Sequence, residues 1–150
     1  RTRRSTSMLV SRSAEYAIRA MTCLARQASG TLLGAREISQ IETIPMPFLG
    51  KVLQNLAHHR LVRSFKGVGG GYELARPARQ ITLQSIVTAM DGNGLARGCV
   101  FGLGQCNEKN TCPLHQAWAG IRAKVTQLLE QTTISDLARA GAGAGQKESL

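Results

Sequence analysis

The chain has 150 residues, 43% of them apolar, which is enough for one compact domain or for a small domain with a helical extension. Its 19 lysines and arginines outnumber nine acidic residues, and the formal charge of +10 favours a polyanionic partner, with nucleic acid as the default. No apolar run reaches the roughly 18–20 residues of a membrane span and no secretory signal follows the arginine-rich start, so we expect a cytoplasmic protein without membrane contact.

The positive charge is concentrated in the first half of the chain. Residues 1–80 carry 13 basic and four acidic side chains, whereas residues 81–150 carry six and five. We therefore expect the surface that faces a polyanion to lie within the first half. Residues 1–8 contain three arginines and no apolar pattern, which predicts a disordered arm, with Met8 as an alternative start.

The first predicted helix has Ser11 or Ser13 as its N-cap and apolar residues at helical spacing as far as Ala28. Gly30 ends the pattern. Cys23 lies beside the apolar stripe, where a lone cysteine is more often a small buried hydrophobe than a ligand. This element is therefore predicted to be an amphipathic helix that packs against a core.

Two further helices form the outline of a helix-turn-helix. The second helix is predicted over residues 34–41 and is broken by the stretch 42–45. The third has Pro47 in its first turn. Its predicted apolar face consists of Phe48, Leu49, Val52, Leu53, Leu56 and Ala57. Two short helices joined by a tight turn are typical of DNA-binding modules.

A β-hairpin is predicted directly after the third helix. Residues 61–66 alternate as in a strand, residues 67–71 read Gly-Val-Gly-Gly-Gly, and residues 72–74 form a second strand. A hairpin in this place is a wing. A phosphate-binding loop is disfavoured, because its glycines open a helix and its Walker pattern ends in Lys-Ser or Lys-Thr.

The second half of the chain contains three further predicted helical segments. Thr82 caps a fourth helix that ends at Asp91 and Gly92, and Pro113 opens the longest helix, which runs to about Gln131. Its apolar side includes a tryptophan, which indicates packing against another chain. Thr133 and Asp136 predict a capping pair for one last turn.

The end of the chain, residues 139–150, is rich in alanine and glycine and is predicted to be a disordered tail.

A loop between the fourth and fifth helices concentrates metal-binding side chains. Cys99, Cys106, Cys112 and His115 fall within seventeen residues. Thiolates suit zinc or iron–sulfur centres, and a reducing cytosol favours metal over disulfides. Zinc is the less favoured metal because the spacing differs from Cys-x2–4-Cys knuckles. No pocket pattern accompanies the thiols, so a catalytic cysteine, and with it an enzyme, is not expected.

The candidate DNA contacts follow from the helix-turn-helix outline. The N-terminal part of a recognition helix enters the major groove, while a wing reaches a neighbouring minor groove or phosphate. Arginines elsewhere in the basic half are candidates for phosphate contacts. The candidates are Pro47, Gly50, Lys51 and Gln54 on the third helix, Lys66 and Gly67 in the wing, and Arg12, Arg19, Arg36 and Arg63 for phosphates.

Several of these motifs together resemble a known family. They are Ser-Ala-Glu-Tyr-Ala-Ile-Arg-Ala-Met at residues 13–21, Phe48-Leu49 with Leu53, the glycine-rich turn up to Tyr72, the three cysteines, and Thr-Ile-Ser-Asp-Leu at residues 133–137. Over about residues 8–138 the chain resembles the Rrf2 family of bacterial winged-helix regulators, whose members include IscR and NsrR. The glycine-rich wing combined with the three cysteines is a specific signature of this resemblance.

The resemblance implies a homodimer whose long helices pair and whose winged helices bind the two halves of a near-palindromic double-stranded DNA operator. It also implies an iron–sulfur cluster, 2Fe–2S or 4Fe–4S, held by Cys99, Cys106 and Cys112. The fourth ligand is His115, as in IscR-type members, or Glu15, as in NsrR-type members. This sequence differs from IscR at Gly50, where IscR has an acidic side chain.

Together these inferences predict a mainly α fold with a small β-hairpin, made of a winged helix-turn-helix domain at residues 9–80 and a cluster loop with dimerisation helices at residues 81–138. The predicted function is transcription regulation, for example as a repressor, with a cluster that senses iron, redox state or nitric oxide. Two alternatives stay open, a regulator with structural zinc and a small iron–sulfur electron-transfer protein.

Overall fold

The structure is a computed structural model that describes residues 10–93 and 113–144, with side chains to residue 140. Within these ranges lie six α-helices and one two-stranded antiparallel sheet, and no helix is long and apolar enough to span a bilayer. In chain order the elements are α1 (Arg12–Ala25), α2 (Ala35–Glu42), α3 (Met46–His58), β1 (Val62–Phe65), β2 (Gly71–Leu74), α4 (Leu83–Asp91), α5 (His115–Gln131) and α6 (Ile134–Ala144). The predicted mainly α fold with a small hairpin is confirmed.

The N-cap of α1 is Ser11, whose hydroxyl accepts a hydrogen bond of 3.0 Å from the backbone N–H of Ala14. Ser13 is therefore inside the helix. α1 ends at Ala25, three residues before the predicted end. Ala28 is exposed in the turn that follows, so the end of the apolar pattern does not mark buried positions.

The turn between α2 and α3 is closed by short hydrogen bonds. Thr43 adopts the left-handed conformation (φ 55°), and Ile44 behind it is buried. The Ile44 N–H donates to the Ser39 carbonyl at 3.1 Å, and the Ser39 hydroxyl donates to the Ile44 carbonyl at 2.5 Å. Pro45 is the N-cap residue of α3, which begins at Met46. These contacts fix the angle at which α3 leaves α2.

The wing is anchored on two sides. β1 and β2 pair along all four of their residues. On its other edge β2 pairs with Leu33, since the Leu33 N–H donates to the Tyr72 carbonyl at 3.1 Å and the Tyr72 N–H donates to the Leu33 carbonyl at 2.7 Å. A Cβ on Gly71 would lie 2.7 Å from the Leu33 carbonyl, and one on Gly70 would lie 2.2 Å from the Phe65 carbonyl oxygen. Glycines of the turn thus permit close backbone packing.

The C-terminal helix corrects one prediction. Thr133 and Asp136 form the expected capping pair, in which the Thr133 N–H donates to Asp136 at 2.9 Å and the Asp136 N–H donates to the Thr133 hydroxyl at 3.2 Å. The helix that they begin is not a single turn but continues to Ala144, so the predicted disordered tail is wrong for residues 139–144. Residues 1–9 and 145–150 lie outside the described residues.

α6 forms because distant parts of the chain bury it. The Leu83 N–H donates to the Thr132 carbonyl and the Ile134 N–H to the Ile81 carbonyl, both at 2.9 Å. Ile134 is fully buried, and α6 packs along α1. Ile81, Ile86 and Ile134 belong to the same core cluster as the apolar residues of α1, α2 and α3. One core therefore crosses the boundary predicted between residues 80 and 81.

We expect the substitution Ile134→Ala to lower the free energy of unfolding by about 2–5 kcal/mol, because it leaves a cavity in the shared core. The matched control is Ile41→Ala, since the Ile41 side chain is 57% exposed and a surface change of this kind alters stability by about 0.5 kcal/mol or less. Chemical denaturation followed by circular dichroism measures both. Equal effects would contradict the placement of α6 in the core.

Candidate nucleic-acid interface

The two faces of α3 have opposite characters. Its buried side chains are Leu49, Val52, Leu53 and Leu56. The opposite face is exposed and carries Pro47, Lys51, Gln54 and His58 at spacings of four, three and four residues. We call these four residues the polar face of α3. Within the described residues Lys51 forms no ion pair. The polar face is thus free to meet a polyanion.

Phe48 departs from its predicted place. The sequence put it on the apolar face, but its side chain is 58% exposed. The Phe48 ring lies 6.4 Å from that of Tyr16 on α1, at an interplanar angle of 50°. An aromatic contact of this kind holds the start of α3 against α1 while leaving one side of Phe48 open.

Arg12 lies at the start of α1 beside the same aromatic pair. Its guanidinium is 5.9 Å from the centre of the Tyr16 ring, and the side chain is exposed. The start of α1 is itself held by Asp91, which accepts hydrogen bonds from the backbone N–H of Ser11 at 2.9 Å and from the Ser11 hydroxyl. Arg12 is therefore presented from a fixed position, which suits a phosphate contact.

Arg19, by contrast, is used within the chain. It forms ion pairs with Glu15 at 3.8 Å and with Glu42 at 3.6 Å, and it donates a hydrogen bond to the Glu42 carbonyl. Its guanidinium also lies 5.7 Å from the Tyr16 ring centre. Arg19 therefore joins α1 to the end of α2, and the phosphate contact predicted for it stays a prediction.

The remaining basic candidates differ in their surroundings. Arg36 is exposed on α2, and Lys66 is exposed beside Gly67, which has a φ of 92° at the start of the wing turn. Arg63 forms a cross-strand ion pair of 2.8 Å with Glu73. Glu73 partly neutralises the Arg63 charge, so the phosphate contact predicted for Arg63 has less structural support than those predicted for Arg36 and Lys66. α3 packs against β1, which places the wing beside the recognition helix.

The predicted metal site falls mostly outside the described residues. Cys99, Cys106 and Cys112 belong to the range 94–112, which the structure does not describe. His115 is the first residue of α5 and is partly exposed. Glu15, on the first turn of α1, is 44% exposed in its side chain and paired with Arg19. Among residues 10–93 and 113–140, no cluster of three or more potential metal ligands occurs, so the metal site stays a prediction.

Cys23 is buried within α1, with 2% of its surface exposed. Burial, with a smaller contribution from the negative charge of Glu42, raises the pKa of its thiol to about 11. The thiol is therefore protonated at neutral pH, and a protonated thiol is a poor metal ligand. These observations agree with the prediction that Cys23 is a small hydrophobic residue of the core.

Sequence reasoning missed two parts of this site. The Tyr16 ring contacts Arg12, Arg19 and Phe48. In the sequence Tyr16 is one residue of a predicted helix, and nothing marks it as the centre of these contacts. Asp91 was recognised in the sequence only as part of the Asp-Gly end of the fourth helix, and its hydrogen bonds with Ser11 were not predicted. Their roles depend on residues far away in the chain, which periodicity does not reveal.

Comparison with known proteins agrees with this geometry. Residues 10–140 match the Rrf2 family model, described as an iron-dependent transcriptional regulator. A Mycobacterium tuberculosis protein whose name places it among HTH-type transcriptional regulators is 42% identical over 132 residues, covering 87% of this chain and 81% of that protein. The HTH-type transcriptional regulator IscR of Cereibacter sphaeroides is 31% identical over 134 residues, covering 87% and 86%.

Solved structures show the same fold. CymR, the global cysteine regulator of B. subtilis, superposes with a TM-score of 0.74 at 24% identity, covering 87% of this chain and 96% of that chain. IscR of T. potens has a TM-score of 0.71 at 21% identity, covering 94% and 91%. A family match over most of the chain, two sequence relatives and a shared winged-helix fold lead to one conclusion: this chain belongs to the Rrf2 family of transcriptional regulators, which are not enzymes.

Proposed function

We propose that this protein is a homodimer that binds a near-palindromic DNA operator and whose affinity is set by an iron–sulfur cluster in the cysteine loop. The observation that carries the DNA-binding part is the exposed polar face of α3 beside the wing, on the basic half of the chain. The dimer and the cluster are supported by separate features, α5 and the cysteine loop.

The polar face suits the major groove. Lys51 is one turn after Pro47, and Gln54 follows three residues later, so both side chains extend from the same face of α3, Lys51 in its N-terminal half and Gln54 just beyond the middle. A lysine donates to guanine or to phosphate, and a glutamine pairs with adenine. In this proposal Lys66 and Gly67 in the wing contact a phosphate or the minor groove, and Arg12 and Arg36 on the first two helices contact phosphates, which would fix the register of α3.

We expect Lys51→Ala to weaken binding to the operator by about 1–3 kcal/mol, because the substitution removes a positive donor from the recognition helix. If Lys51 contacts a guanine, losing it relaxes the preference for one base pair. If Lys51 contacts a phosphate, losing it weakens binding to all duplexes alike and reduces the magnitude of the slope of log K against log salt by about one. Titrations by fluorescence anisotropy at several salt concentrations separate the two.

The control for Lys51→Ala is Lys124→Ala, which makes the same change in charge on an exposed position of α5. Equal losses of affinity in both variants would mean that net charge, and not the polar face of α3, drives binding.

α5 supports the dimer. The described chain buries no residue of this helix, and the side chains of Leu114, Ile121 and Leu128 are 44%, 53% and 62% exposed. Together with Trp118 and Val125 these residues recur at alternating spacings of four and three, the pattern of a coiled-coil seam. A second copy of α5 would cover the seam, and twofold symmetry would present two copies of α3 to two half-sites.

We expect Ile121→Glu to convert the dimer to a monomer and to lower operator affinity strongly, because it places a charge at the centre of the seam. The control Gln127→Glu adds the same carboxylate to an exposed position of α5 outside the seam. Sedimentation equilibrium measures the mass of each variant. A wild-type protein that is monomeric at micromolar concentration would overturn this part of the proposal.

The chemistry of the donor set fits an iron–sulfur cluster. Three cysteines supply soft thiolates, and either His115 or Glu15 supplies the fourth ligand. A cluster would supply one-electron redox chemistry and iron that reacts with nitric oxide. The described iron dependence of the family and the similarity to IscR support this cofactor. The similarity to CymR concerns the fold alone and does not support one cofactor over another, so structural zinc is the alternative.

Anaerobic purification tests the cofactor directly. We expect visible absorbance with stoichiometric iron and sulfide, and we expect Cys106→Ala to lose all three, because one thiolate ligand is removed. Cys23→Ala, a change at the buried thiol, is expected to keep the cluster. Comparing His115→Ala with Glu15→Gln identifies the fourth ligand. A colourless wild-type protein with stoichiometric zinc would establish the zinc alternative instead.

A further inference from the structure

Arg60 has a backbone conformation that glycine adopts more readily than arginine. α3 ends at His58, and two hydrogen bonds close the turn behind it: the Arg60 N–H donates to the Ala57 carbonyl at 3.0 Å, and the Leu61 N–H donates to the Leu56 carbonyl at 2.9 Å. This is the Schellman pattern, in which the residue after the C-cap is usually glycine. Arg60 is in the left-handed region there, with a φ of 58°, where a side chain is strained. The turn itself therefore does not explain an arginine.

The Arg60 side chain lines a recess between α3 and the wing. The recess has a volume of about 600 Å³, which is within the range of small-molecule sites. We call it the arginine recess, because arginines from three separate segments line it together with apolar residues: Arg60, Arg63, Arg76, Ala57, Val62 and Phe65. The end of α3, strand β1 and the segment after β2 thus meet at one place.

The arginine recess has an excess of positive charge. Arg63 is paired with Glu73 at 2.8 Å, whereas the ion pairs within residues 10–93 and 113–140 include neither Arg60 nor Arg76. Among the described residues, no acidic side chain lines the recess. The planar guanidinium group matches a carboxylate or a phosphate with two parallel hydrogen bonds. The recess therefore suits an anion.

The remaining lining of the arginine recess is mostly apolar. The Phe65 side chain is 45% exposed, and Ala57, Val62 and Ala75 add aliphatic surface beside it. A phosphate of a DNA backbone would satisfy the arginines but would offer little apolar surface to Phe65. A ligand with both an anionic group and an apolar body matches the two kinds of lining together.

We propose that the arginine recess binds a small organic anion, whose carboxylate or phosphate group contacts Arg60 and Arg76 and whose apolar body covers Phe65. The strained backbone of Arg60 then has a reason, because it places a guanidinium group at the recess. Since α3 and β1 both line the recess, the ligand contacts the recognition helix and the wing at once. Binding of the anion does not depend on the proposed DNA-binding function.

The first test uses three naphthalene probes with the full-length wild-type protein. Two are anions, naphthalene-2-carboxylate and 2-naphthyl phosphate, and the third is the uncharged naphthalene-2-carboxamide. Isothermal titration calorimetry is expected to show at least one anion binding about 10-fold or more tightly than the amide, because hydrogen bonds to a charged group are the stronger ones. If neither anion binds more tightly than the amide, the inference is overturned.

The substitution Arg60→Gly separates ligand binding from stability. It is expected to raise Tm by about 2–4 °C, because glycine adopts the left-handed conformation without strain. It is also expected to weaken binding of the anion by about 10- to 100-fold. Arg60→Lys keeps the charge and is expected to lose less than Arg60→Gly does. An arginine that served only the turn would change Tm and leave the affinity for the anion as it is, which would refute the inference.

A matched pair of variants tests whether the site is local. Arg76→Ala is expected to weaken binding of the anion by about 10-fold. Arg79→Ala removes the same charge from an exposed arginine that does not line the recess, and it is expected to bind as the wild type does. Equal losses would mean that net charge alone attracts the anion. If the wild type binds neither anion while Arg60→Gly weakens binding to duplex DNA, the recess contacts a DNA backbone and the inference is overturned.

Discussion

The close packing around α1 is the constraint on which the rest of the fold depends. Ala14, Ala17 and Ala20 are fully buried, and their small side chains let neighbouring backbones come near the helix. α1 contacts α2, α3, α4, α6 and β2. The recognition helix, the wing and the C-terminal helix are thus positioned by one shared surface. Because the interior is close-packed, a shift of one of these elements is felt by the others through α1.

Local sequence signals predicted most of the fold, since they depend on residues within one turn of each other. The caps at Ser11 and Thr82 and the pair of Thr133 with Asp136 occur where the sequence indicated. The length of α6 was not predictable, because alanine and glycine give little pattern and its burial comes from α1 and from the segment around Ile81. Tertiary contacts decided what local propensity left open.

The same division applies to the candidate interface. Helical spacing placed Lys51 and Gln54 on an exposed face, as the structure shows. The pair of Arg19 with Glu15 has helical spacing within α1. The pairs of Arg19 with Glu42 and of Arg63 with Glu73 were not predictable, because those two acids lie in other elements. Charge counting identified the basic half but could not separate cations used within the chain from those left for DNA. The cysteine loop lies outside the described residues, so its ligand assignment still rests on the sequence pattern and the family.

The bridge between Leu33 and Tyr72 has a consequence for the entropy of binding. It joins the wing to the segment just before α2, so within the described chain the hairpin is not a free arm that must be ordered when a duplex arrives. Association loses affinity whenever loops and long side chains are immobilised. Here the backbone of helix and wing is arranged in advance. Within the described chain, the ordering cost of the proposed DNA complex would therefore come largely from rotamers of long exposed side chains such as those of Lys51 and Lys66.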